Sequence, residues 1–75
     1  MNPERKRSLS IAGHRTSVSL EDEFWNALKE IAAGEGRSLA ALIAEIDTAR
    51  GDINLSAALR LHALAHFRRL AGSSI

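Results

Sequence analysis

His14-Arg15-Thr16-Ser17-Val18-Ser19-Leu20 alternates in polarity. Arg15, Ser17 and Ser19 fall on one side of an extended segment, and Thr16, Val18 and Leu20 on the other. Such alternation marks a half-buried strand rather than a helix. A lone strand leaves backbone donors and acceptors unpaired, so this one needs a partner. Just upstream, Leu9 and Ile11 alternate with Ser8, Ser10 and Ala12, which hints at a second short strand, and Gly13 punctuates it. Two arrangements are open on this reading. Residues 8–12 can fold back on 16–20 as a hairpin around Gly13-His14-Arg15. Alternatively, residues 15–20 can pair with the same residues of another molecule as an antiparallel ribbon.

Downstream the pattern is helical. A first helix is expected over about 21–34, with Glu21, Asp22 and Glu23 at its start, where carboxylates favour the positive end of the helix dipole. Ser19 is a candidate cap, with Asp22 three residues on. Phe24, Leu28 and Ile31 form an apolar stripe widened by Trp25, and Gly34 and Gly36 end the helix. Ser38 caps a second helix over about 38–50, with the stripe Leu39, Leu42, Ile43 and Ile46. Gly51-Asp52-Ile53-Asn54 has turn chemistry. Asn54 or Ser56 caps a third helix over about 56–70, whose apolar band is wider than one core face needs, as if for a further neighbour. Residues 1–7 read as a basic flexible arm, 8–71 as the folded domain and 72–75 as a frayed tail.

A chain of 75 residues makes one small domain, marginal alone. It has no cysteine. That excludes disulfides and thiolate metal sites and leaves oligomerisation as the favoured remedy. Net charge is only +1, but the basic residues up to Leu20 are Arg5, Lys6, Arg7 and Arg15 against the single acid Glu4. This basic zone suits phosphate. No apolar run approaches a membrane span or a secretory signal, so the expectation is a soluble, cytoplasmic protein.

Strand, acidic-start helix, Gly36-Arg37-Ser38 turn and second helix together resemble the ribbon-helix-helix DNA-binding family of the Arc and methionine repressors. Arg15 to Leu20, then Phe24-Trp25 with Leu28 and Ile31, then Glu35-Gly36-Arg37-Ser38 and Leu39, Leu42, Ile43 and Ile46 carry the resemblance. It covers about residues 14–50. Ala12 to Val18, Glu23-Phe24-Trp25 and Ala41 to Asp47 are also similar to a small single-domain bacterial subgroup. The resemblance implies a mainly α fold with one short N-terminal strand and an extra C-terminal helix. It also implies an intertwined homodimer, whose intermolecular antiparallel β-ribbon enters the DNA major groove. Carried onto this chain, Arg15, Ser17 and Ser19 are the base-reading residues. Backbone N–H groups at Ser38 and Leu39 face a phosphate, and Arg5, Lys6 and Arg7 extend that footprint. Val18, Leu20, Phe24, Trp25, Leu28, Ile31, Leu42, Ile43 and Ile46 form the dimer core.

Arg15 can contact guanine through two hydrogen bonds, whereas serines are short and discriminate less. Phosphate contacts and DNA shape are therefore expected to supply much of the rest. One Trp, two Phe and no Tyr are too few for a single-strand stacking platform. His62 and His66 are four apart on a helix, but no carboxylate lies at helical spacing beside them, so no metal or other cofactor is expected. No histidine–carboxylate pair sits beside a serine, and there is no phosphate-binding glycine loop, so the chain is not read as an enzyme. The expected partners are a second copy, with higher order on DNA open, and double-stranded DNA. The function expected is that of a repressor-like transcriptional regulator. The alternative is a protein-interaction module, such as an antitoxin or adaptor using the C-terminal helix.

Overall fold

The partner of the 14–20 strand is the segment before it. The computed structural model describes residues 4–73, in the order β1 (Arg5–Ile11), β2 (His14–Leu20), α1 (Asp22–Gly34), α2 (Leu39–Ala49) and α3 (Leu55–Ser73). β1 and β2 pair antiparallel, with Ile11 against His14, Leu9 against Thr16, Arg7 against Val18 and Arg5 against Leu20. Ala12 and Gly13 between them both take positive φ, 50° and 82°. Two such residues make a type I′ turn, whose twist matches that of the flanking strands.

Of the two pairings left open, the hairpin is the one made within the chain, so there are two strands where one was expected. It is also longer than residues 8–12. Arg5, Lys6 and Arg7 belong to β1 rather than to a flexible arm. The reason lies in Arg7. Its guanidinium stacks 4.8 Å from the centre of the Trp25 ring and is ion-paired with Asp22, which holds the strand beyond Leu9. The part of the expected arm before Glu4, and the tail after Ser73, lie outside the described residues.

The helix ends follow local chemistry. Ser19 does not cap α1, because it is still a strand residue. Glu21 stands at the N-cap without a side-chain capping bond. At the other end, Arg37 N–H donates to the Ala32 carbonyl and Gly36 N–H to the Ala33 carbonyl, both at 3.1 Å. With Gly36 at φ 69° this is a Schellman stop. Ser38 Oγ accepts from Ala41 N–H at 3.1 Å and starts α2. Asn54 Oδ1 accepts from Ala57 N–H at 2.8 Å and starts α3.

The helices and the inner face of the hairpin enclose one core. Val18, Leu20, Leu28, Ile31, Leu42, Ile43 and Ile46, expected to form a dimer core, are buried within the single chain. Phe24 and Trp25 pack against them, partly buried. Ile11 from β1 and Ala58, Leu59 and Ala63 from α3 close the same core. The hairpin and third helix thus cover this core within the chain. Each fully buried Leu or Ile contributes about 1.5–3 kcal/mol. Among the described residues no helix is long and apolar enough to cross a membrane.

Candidate nucleic-acid interface

Strand alternation and the hairpin register together define the outer face. It carries Lys6, Ser8 and Ser10 from β1 and Arg15, Ser17 and Ser19 from β2, cross-strand neighbours as Lys6–Ser19, Ser8–Ser17 and Ser10–Arg15. All are exposed except Ser19, which is half-buried. The face holds two cations and four hydroxyls, and no carboxylate. Arg15 and Lys6 enter no ion pair among the described residues.

The three predicted base-reading residues are therefore on one face, and Ser8 and Ser10 join them. These two serines were missed as site residues, because they reach that face only through pairing with β2. The three N-terminal basic residues are divided. Lys6 shares the face of Arg15. Arg5 and Arg7 alternate to the inner side, where both pair with Asp22, Arg5 at 3.4 Å. The Arg7 side chain is only 18% exposed.

The root of the ribbon is held by α3. A two-residue turn closes on a hydrogen-bonded pair, so Arg15, Ser17 and Ser19 turn their backbone groups away from β1. For Ser19 both are satisfied. Its N–H donates to Ser56 Oγ at 3.0 Å, and its carbonyl accepts from Arg60 at 3.1 Å. Arg60 also donates to Glu21 at 3.1 Å and binds Glu4. A backbone hydrogen bond first, and the Arg60 guanidinium second, hold the Glu21 carboxyl below its ordinary value of 4.5. No local signal marks Ser56 or Arg60, which act across 37 and 41 residues.

The turn before α2 offers backbone donors but no free charge. Arg37 donates to Glu35 at 2.8 Å and to both Glu45 oxygens, at 2.7 and 3.1 Å. Hydrogen bonding to Glu45 raises the Arg37 pKa, and the same contact lowers that of Glu45. Ser38 and Leu39 thus begin a helix whose adjacent cation is already neutralised. The His66 ring lies edge-on to Phe67, with centroids 5.0 Å apart. Among the described residues no group of three or more His, Cys, Asp or Glu side chains could hold a metal.

A polar ribbon rooted on three helices can be compared with known domains. A family profile described as a ribbon-helix-helix domain matches residues 4–67. This chain belongs to the ribbon-helix-helix family. Members are generally DNA-binding transcription regulators or antitoxins, typically dimerise, and use a fold without enzymatic chemistry. No curated protein and no solved structure matches the chain. Within this ribbon-helix-helix domain, the match takes in β1 and most of α3 as well as the strand and two helices that carry the sequence resemblance.

Proposed function

We propose that this ribbon-helix-helix protein binds double-stranded DNA sequence-specifically, with the outer face of the β1–β2 ribbon in the major groove. It would act as a dimeric, repressor-like transcriptional regulator in the cytoplasm. The observation that carries this reading is the exposed Arg15, without an ion-pair partner among the described residues, on a ribbon face without a carboxylate. A two-stranded ribbon fits the major groove, where each base pair shows its own donor and acceptor pattern. Arg15 makes the discriminating contact, two hydrogen bonds to a guanine. Ser17, with Ser8 and Ser10, donates to or accepts from neighbouring edges, and Ser19 does so at the ribbon's root. Lys6 takes a phosphate, Arg5 extends that contact at the rim, and the N–H groups at Ser38 and Leu39 take another. Arg7 contributes by fixing the ribbon on α1.

The test is selection of bound sequences from random DNA, followed by Arg15→Ala. The variant should lose affinity for the selected site far more than for random DNA. Equal loss on both would make Arg15 a phosphate contact, and no retardation by the wild type at low salt would sink the reading.

A second reading, as an antitoxin or adaptor, draws on the exposed apolar side chains of α3. It is favoured if a single stoichiometric partner protein binds α3 and DNA is not retained.

A further inference from the structure

Ser8 differs from the other hydroxyls of the ribbon. Arg5, Lys6 and Arg7 precede it without interruption, and its side chain is exposed on the outer face. The Arg5 side chain is 63% exposed and Lys6 is exposed too, so both can be read from outside, while Arg7 is folded onto Trp25. Ser10 has only Arg7 as a cation in the three positions before it, and Ser17 has only Arg15. Ser19 is half-buried, with its backbone bound to Ser56 and Arg60.

The surroundings of Ser8 suit a phosphate. Ser17 lies directly opposite, Arg15 on one diagonal, and Lys6 two residues back on the same face. Diagonal neighbours are about 7–8 Å apart, within reach of a long side chain. Lys6 and Arg15 enter no ion pair among the described residues, and no carboxylate shares their face. A dianion on Ser8 Oγ therefore meets two cations with unfilled donors and no like charge.

We propose that Ser8 is a phosphorylation site, whose phosphate turns the ribbon face off by drawing Lys6 and Arg15 onto itself. The inference rests on the DNA reading above and gives it a means of regulation. The donor is ATP and the catalyst a separate serine kinase that reads cations ahead of its target. Ser8 Oγ attacks the γ-phosphorus. The Oγ–P bond forms and the bond to the β,γ-bridging oxygen breaks. ADP leaves with that electron pair, and the hydroxyl proton passes to a base of the kinase. The phosphate brings a charge of about −1.5 to −2, which offsets both cations of the face. Its oxygens can hold the Arg15 guanidinium through two parallel hydrogen bonds, the same donors that would read a guanine. It also repels the phosphates of DNA. The inner-face contacts of Arg7 and the Arg60 junction are left untouched, so the fold persists.

The test begins with the full chain, ATP and a purified kinase that requires arginine three residues before serine, the product being mapped by tandem mass spectrometry. One phosphate should appear, on Ser8. Modification of another serine first, or of none, would overturn the proposal. In the phosphorylated chain, phosphorus NMR should place the second phosphate ionisation below its ordinary value of about 6, because both cations favour the dianion. Lys6→Ala and Arg15→Ala should each move it back up. A titration that is unshifted, or that neither variant moves, would also overturn the proposal. Affinity for the DNA selected by the unmodified chain should fall at least about tenfold on phosphorylation, and the salt slope should shrink by about 2 as two cations are withdrawn. Unchanged affinity and slope would show that the phosphate is no switch. The NMR readout contains no DNA. If it behaves as expected while the unmodified chain retains no DNA, the DNA reading fails and the phosphate held by Lys6 and Arg15 stands.

Discussion

The Arg60 guanidinium donates to the Ser19 carbonyl at 3.1 Å, tying the third helix to the outer edge of β2. The same side chain reaches Glu21 and Glu4 and lies 6.0 Å from the Phe24 ring centre. It thus joins ribbon, first helix and third helix at one point. Arg60→Met keeps much of the apolar stem but removes every donor. Hydrogen bonds to charged groups contribute about 1.5–3 kcal/mol, reduced here because the Arg60 side chain is 28% exposed. The expected loss is about 1–2 kcal/mol, read in a thermal melt, with faster amide exchange at Ser19. An unchanged melt together with unchanged exchange would show that α3 does not hold the ribbon.

Acid should loosen this junction and, separately, the Arg37–Glu45 pair. The Glu21 and Glu45 carboxyls are both depressed below their ordinary value of 4.5, Glu21 through a backbone hydrogen bond and Arg60, Glu45 through Arg37. A depressed carboxyl contributes stability that is complete above the unfolded pKa and is lost as pH falls through the folded one. The melting temperature should therefore be flat near neutrality and decline from about pH 5 downward. Arg37→Gln should flatten the part of that decline due to Glu45. A melting temperature that rises on acidification would contradict both assignments.

The helices were legible because their signals are local. Ser38, Asn54 and the Gly36 stop are each read within a few residues. The partner of β2 was not, and the turn explains why. Asn-Gly or Asp-Gly announces a type I′ hairpin, whereas this chain has Ala12-Gly13, with Ala12 at φ 50°. For an L-residue with a Cβ that conformation costs roughly 1–2 kcal/mol. The alternation of Leu9 and Ile11 was visible, but nothing nearby marked Arg7 as an inner-face anchor on Trp25. Ala12→Asn should relieve part of the strain and stabilise the chain by about 0.5–1 kcal/mol. Destabilisation by Asn would mean that the positive φ at this position is not the cost.

The candidate site was legible by alternation on β2 and illegible on β1, and this division yields a contrast between two neighbouring cations. Lys6 lies on the outer face with Arg15 and has no ion-pair partner among the described residues. Arg7 lies on the inner face, paired with Asp22 and stacked 4.8 Å from the Trp25 ring centre. If the outer face meets DNA, Lys6→Ala should weaken binding about equally on all sequences. It should also lower the salt slope by about 1 for each phosphate that is no longer neutralised. Its thermal stability should stay within about 0.5 kcal/mol of the wild type. Arg7→Ala should instead cost about 1–3 kcal/mol of stability, since it strips a half-buried charge pair and a cation–π contact, and leave the salt slope near its original value. The two measurements together assign the faces, because a solvated lysine and a structural arginine exchange roles if the register is wrong. A reduced slope in Arg7→Ala with an intact melt would place the DNA on the opposite side of the ribbon.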